Sequence, residues 1–268
     1  MSNDVNKFQA NLEQEIVLIV TTPLSTFTGE FASKTMHLSG LFTGPSVTQN
    51  FHDIYFDTDS LQLKDINVAL RIRTEGSLSY LGLKGNDKWS KAGVSRVEVE
   101  ELWSSNGLAT ILHHIDFMGI NLKHPGVPIT SANPIEIMAL TGMQVIQERS
   151  LHRTQWPILD NLDTKVVIGS IDTIDLKLEG RPVRYSQIEL ELTKNGSLEI
   201  LEQVSSEFLR IYSGFLRAWR YSKLQTGFAI ESIYSSGGTS NIISEQGEIT
   251  AKGIDAVEQI LQKSNLNL

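Results

Sequence analysis

Several segments of the chain alternate apolar and polar residues with a period of two, the pattern of a β-strand with one apolar and one polar face. In VALRIRTEG, Leu70 and Ile72 fall on one face and Arg71 and Arg73 on the other. SRVEVEE sets Val97 and Val99 against Arg96, Glu98 and Glu100, and IELEL places Glu189 and Glu191 between Ile188, Leu190 and Leu192. Near the start, EQEIVLIV puts Glu13 and Glu15 on the face that continues to Val17. Helical periodicity lies between these strands, over 109–120, 135–146 and the amphipathic 197–216, where Asn195-Gly196-Ser197 supplies a turn and an N-cap. Pro125, Pro128 and Pro134 break the middle of the chain. From Ser235 to Ser240 the composition shifts to Ser, Gly and Thr, a linker ahead of a short helix around 254–262. The predicted division is a strand-rich domain over 1–231 and a Ser/Gly linker with a helical tail over 232–268.

The apolar strand sides offer helices a surface to cover. The charged sides then face one another inside a closed or nearly closed sheet, an α+β fold built on a polar-lined antiparallel barrel. Its interior collects Arg71, Arg73 and Arg96 with Glu13, Glu15, Glu98, Glu100, Glu189 and Glu191, groups too costly to desolvate without partners, metal or water. Arginine forks match phosphate oxygens, and clustered carboxylates repel unless protonated or bridged by a hard cation such as Mg2+ or Mn2+. The set points to a metal–phosphate site. The alternative is that the charges meet water on an open sheet or pair across strands, at about 0.2–1 kcal/mol per pair.

Composition narrows the function classes. A chain of 268 residues, 40% hydrophobic, can bury a full core. A formal net charge of -8 argues against broad attachment to nucleic acid or an anionic membrane. The absence of cysteine excludes disulfides and thiolate metal sites and fits a reducing compartment. The first twenty residues hold no basic flank and no apolar run of signal or membrane-span length, so a cytoplasmic protein is expected. The six histidines form no HExxH spacing, and the adjacent His113 and His114 read as a helix edge. GxxxxGK[ST], GxGxxG and GxSxG are all missing, so phosphate is handled by another route.

The stretch YFDTDSLQLKDINVALRIRTEGSLSYLGLKG (55–85) resembles the CYTH superfamily, the triphosphate tunnel metalloenzymes, whose corresponding region reads YxDTxxxxLxxxxxALRIR followed by a strand ending LxLKG. SRVEVEE (95–101), YSQIELELTKNGS (185–197) and RYSKLQTGF (220–228) follow in the same order and spacing, over about residues 10–230. The overall look is most similar to the bacterial inorganic triphosphatase branch. The resemblance implies a closed eight-stranded antiparallel tunnel with helices packed outside. It implies that Arg71, Arg73, Lys84, Arg96, Arg153 and Lys223 bind the phosphates of a triphosphate-containing small molecule. Glu13, Glu15, Glu98, Glu100, Asp172, Glu189 and Glu191 would hold Mg2+ or Mn2+, and Glu13, Glu15, Lys84, Glu189 and Glu191 would carry catalysis. No nucleic-acid or membrane partner is implied, and a homodimer is left open.

The chain also departs from the pattern of these enzymes. Val17 stands where the ExExK lysine is expected, Gln155 replaces an arginine, and Ile168 and Gln187 replace glutamates. Gln225 and Thr226 replace an acidic residue and an arginine of SKxERGY. Each removes charge from an electrostatic site, at about 1.5–3 kcal/mol per charged hydrogen bond. Three functions follow from the resemblance: metal-dependent hydrolysis of inorganic triphosphate or a related organic triphosphate, phosphate or nucleotide binding with impaired catalysis, and class IV adenylate cyclase chemistry.

Overall fold

The computed structural model describes residues 11–33, 40–90, 93–123, 133–237 and 241–265. The side chains of Arg96 and Val97, together with Pro125, Pro128 and part of the Ser/Gly stretch, lie outside the described set. In chain order the strands are β1 (Asn11–Val20), β2 (Phe42–Thr43), β3 (Val47–Thr58), β4 (Ala69–Glu75), β5 (Leu78–Ser90), β6 (Gly93–Leu102), β7 (Met143–Leu159), β8 (Lys165–Leu176), β9 (Val183–Leu192) and β10 (Leu216–Trp219). The helices are α1 (Leu24–Ser33), α2 (Gln62–Asp65), α3 (Ser105–Phe117), α4 (Pro134–Thr141), α5 (Leu198–Ile211), α6 (Lys223–Ser235) and α7 (Ala251–Asn265). No helix among the described residues is long and apolar enough to cross a membrane.

The strands pair in the order β10-β1-β6-β5-β4-β3-β7-β8-β9, with β1 also pairing β9 and β2 pairing β7. This bears out the α+β class with an antiparallel sheet: β1, β6, β5, β4, β3, β7, β8 and β9 are eight strands in succession, with β1 also pairing β9, and the short β10 and β2 are added to them. The two short additions take edges the longer strands leave: β10 runs antiparallel to Val17–Val20, and β2 to Ile158–Leu159. The chain divides into two compact units, one of Met1–Glu13, Tyr55–Lys88 and Ser95–Ile146, the other of Gln14–Ile54, Trp89–Val94 and Gln147–Leu268.

In the first unit, β4 and β5 form a hairpin in which Leu70 faces Leu83 and Ile72 faces Leu81, all four buried. The opposite face carries Arg71 across from Gly82 and Arg73 across from Tyr80. The alternation read from the sequence therefore holds at this hairpin. Ser104 caps α3 by accepting a hydrogen bond from the Gly107 N–H at 3.0 Å, and the helix buries Leu108, Ile111, Leu112 and Ile115. Asn133 caps α4, with Pro134 in its first turn. The expected helix over 135–146 stops at Thr141, because Gly142 adopts φ +94°, a left-handed conformation that suits glycine and ends the helix. Met143 then opens β7.

In the second unit, β7, β8, β9 and β1 pair in antiparallel succession. On one face Leu18, Val20, Ile171, Ile188 and Leu190 join Leu201, Val204 and Phe208 of α5 and Phe27 of α1 in a core. The other face has two chemically different ends. One end is apolar: Val17, Ile19, Ile174, Leu176, Val183 and Tyr185 pack with Ile230 and Ile233 of α6 and Ile254, Val257 and Leu261 of α7. By strand alternation these residues share their face with Glu15, Asp172 and Glu189. Burying an aliphatic side chain contributes about 1.5–3 kcal/mol, so α7 is held to the sheet through at least three such anchors. The C-terminal segment read as a short helical tail packs as part of this core.

Candidate active site

The charged residues expected at the site form two clusters, one in each unit. In the first unit, Lys84 lies between two carboxylates, 3.0 Å from Glu13 Oε2 and 3.0 Å from Glu98 Oε2. Arg71 approaches Glu100 at 3.8 Å, and the adjacent Gly82 leaves its guanidinium room, since an added Cβ would already lie 3.5 Å from Arg71 Nη2. Arg73 occupies the same strand face, opposite Tyr80 in register. The backbone of Arg96 lies in β6, but its side chain is outside the described residues.

The second cluster is more buried. Arg153 on β7 and Asp172 on β8 are register partners. Arg153 donates from Nε to Asp172 Oδ1 at 2.7 Å and from Nη2 to Asp172 Oδ2 at 2.6 Å, and Nη2 also reaches Glu189 Oε2 at 2.7 Å. Lys223, the first residue of α6, contacts Asp172 Oδ2 at 2.9 Å and donates to Glu189 Oε1. Asp172 is fully buried, so both oxygens must be matched by donors, and Arg153 and Lys223 supply them. Burial works against the charge of Arg153, but Asp172, Glu189 and Glu15 outweigh it and hold the guanidinium above its usual proton affinity. Glu15, 4% exposed, is the register partner of Glu191. Four carboxylates, Glu15, Asp172, Glu189 and Glu191, thus stand in this unit with the cations Arg153 and Lys223.

The departures from the motif pattern have structural occupations. Val17 is 4% exposed and belongs to the apolar core beside Trp219, so the position has become part of the packing under α6 and α7. Gln187 donates from Nε2 to Glu189 Oε1 at 2.8 Å and is 1% exposed. Gln225 completes a capping box with Ser222 at the start of α6, and Thr226 accepts a hydrogen bond from Trp219 Nε1 at 2.9 Å. Gln155 lies opposite Ser170, and Ile168 opposite Glu191. His113 and His114 lie near the end of α3, as expected for a helix edge, and burial, then the charge of His113, lowers the proton affinity of His114.

Two supports of the site escaped the sequence reading. Ser222 and Gln225 fix the N-terminus of α6, and with it Lys223; the signal was present as Ser-x-x-Gln, a capping-box spacing. Tyr185 donates from its hydroxyl to the Lys223 carbonyl at 3.2 Å, which ties the same turn to β9; nothing in the linear pattern marks that contact.

The sequence matches the family model of the CYTH domain over residues 26–216. The chain belongs to the CYTH domain family. No curated protein matches it. Among solved structures, this CYTH chain is similar to a Hippeastrum adenylyl cyclase candidate described as having a dominant triphosphatase activity. That similarity has 21% identity and a TM-score of 0.50, and it covers 84% of this chain and 96% of the other. It is also similar to an adenylate cyclase candidate of Bacillus halodurans, at 19% identity and a TM-score of 0.46, covering 80% and 97%. At 21% identity the first likeness concerns the fold alone.

Proposed function

We propose that this CYTH protein hydrolyses inorganic triphosphate or a related organic triphosphate with the help of Mg2+ or Mn2+. The observation that carries the reading is the buried cluster of Arg153, Asp172, Glu189 and Lys223, flanked by the Glu15–Glu191 register pair. Arg153 and Lys223 are held in place before substrate arrives, so their donors need little reordering to meet phosphate oxygens. Asp172 keeps the guanidinium plane fixed, and Gln187 keeps Glu189 oriented. In the first unit Lys84, held by Glu13 and Glu98, and Arg71 and Arg73 are further phosphate ligands in this reading.

Among the described residues no three His, Asp or Glu form a ready metal cage. The donor set still fits a hard divalent cation. Mg2+ is commonly held by one or two carboxylates plus substrate phosphates, and Glu15 and Glu191, register partners on β1 and β9, are the carboxylates this reading assigns to it. Such an ion supplies charge neutralisation of the phosphate oxygens and polarises water.

The test is phosphate release from tripolyphosphate, ATP and thiamine triphosphate with each metal. Release from at least one of them supports the reading, whereas cyclic AMP formed from ATP in place of phosphate would assign the site to cyclase chemistry.

A further inference from the structure

Within the buried cluster Glu189 is crowded with donors. Its Oε1 accepts from Lys223 Nζ and from Gln187 Nε2, the latter at 2.8 Å, and its Oε2 accepts from Arg153 Nη2 at 2.7 Å. Arg153 and Lys223 each also reach Asp172 Oδ2, at 2.6 and 2.9 Å, so both cations bridge the same two carboxylates. The side chains of Glu189, Lys223 and Arg153 are 12%, 12% and 16% exposed, which leaves little water to compete for these contacts. Gln187 comes two residues earlier on β9 and shares the strand face of Glu189. Of the two ends of its amide only the N–H can meet a carboxylate, so its orientation is fixed. Among the described residues its buried Oε1 accepts no hydrogen bond, so Glu189 is what orients the side chain.

We propose that Glu189 is a positioning residue and not a metal ligand: it fixes Arg153 and Lys223 against Asp172, and the Gln187 amide supplies the contact that a divalent cation would otherwise make. Mg2+ lies about 2.0–2.1 Å from a ligating oxygen. At Oε1 it would stand against the Lys223 ammonium, and at Oε2 against the Arg153 guanidinium, cation beside cation. Two carboxylates at 187 and 189 would repel unless protonated or bridged by a cation, whereas an amide beside a carboxylate forms a hydrogen bond and needs neither. The residue at 187 therefore decides whether this part of the strand face calls for a metal.

Arg153 and Lys223 come from different elements, β7 and the first turn of α6, and Glu189 on β9 ties the two together. Glutamine at 189 would keep the shape but lose the charge that holds both cations, and donors displaced from a reacting phosphate lower kcat. The metal then falls to Glu15 and Glu191. That catalytic consequence rests on the triphosphatase reading; the role of Glu189 in the cluster itself does not.

The test is Mn2+ binding by the full chain without substrate, read from the electron paramagnetic resonance signal of the free ion. Glu189→Gln should keep a Kd within about threefold of the wild type, whereas removing even a residue that merely orients a metal ligand weakens binding about 10–100-fold. Gln187→Glu should bind Mn2+ at least about tenfold tighter, or bind one ion more, and adding Glu189→Gln should abolish that gain. In tripolyphosphate hydrolysis Glu189→Gln should lower kcat at least about tenfold, with the half-saturating Mn2+ concentration unchanged within about threefold. A Glu189→Gln protein whose Mn2+ affinity falls tenfold or whose kcat equals that of the wild type, or a Gln187→Glu protein with no gain, would overturn the proposal. A wild type that neither binds Mn2+ nor releases phosphate would overturn the triphosphatase reading instead, and the gain in Gln187→Glu would still decide the role of Glu189.

Discussion

Removing the guanidinium of Arg153 tests whether the second cluster is a buried network or a set of screened surface charges. In Arg153→Met, Asp172 would lose two charged hydrogen bonds, of 2.7 and 2.6 Å, and Glu189 one of 2.7 Å. The Arg153 side chain is 16% exposed and that of Asp172 0%, so little water can replace the lost donors. Breaking a buried pair by deleting one partner costs about 3–5 kcal/mol. Lys223 stays in contact with both carboxylates, which places the expected loss at the low end, about 3 kcal/mol. Urea unfolding should show a midpoint lower by about 1 M at unchanged slope. Adding Asp172→Leu removes the stranded carboxylate, and the double variant should recover about 1–2 kcal/mol relative to the sum of the singles. A loss under about 1 kcal/mol, or strict additivity, would refute the buried-network argument.

Val17→Lys restores the residue expected from the motif, but it puts an ammonium among Trp219, Ile230 and Val257, and its register neighbour Glu189 is already engaged by three donors. We expect a loss of about 2 kcal/mol and a Tm about 5 °C lower; an unchanged Tm would mean that the position still belongs to the charged site. Gly227→Ala should cost about 1–3 kcal/mol because its Cβ would collide with Gln147, and Gln147→Ala in the same chain should relieve most of it. Additive losses in urea unfolding would show that α6 does not rest on Gln147.

How far the fold was legible depended on the range of the interaction. Period-two alternation placed Leu70 and Ile72 in the core and Arg71 and Arg73 on the opposite face, because strand geometry alone dictates it. The pairing of Arg153 with Asp172 needs the β7–β8 register, which no local pattern reveals. Helix α1 carries Thr26, Thr28 and Gly29, poor helix formers, and is held by Phe27 and Phe31 packing on Tyr212, residues nearly two hundred positions away. Apolar continuity carried the expected α4 past its true end, since the left-handed Gly142 outweighs the helical look of Met143 to Ile146. In the linear pattern Val17 is a lost phosphate contact, whereas its burial depends on α6 and α7, whose docking is tertiary.

The proposed function requires that the charged clusters turn over a triphosphate. The most direct measurement is the rate of phosphate release from tripolyphosphate with Mg2+ or Mn2+ by the wild type and by a Glu189→Ala, Glu191→Ala double variant of confirmed fold. Metal-dependent release by the wild type is expected, with a loss of at least about a hundredfold in the variant. Equal rates in the two proteins, or tight tripolyphosphate binding by the wild type with no release under either metal, would contradict it.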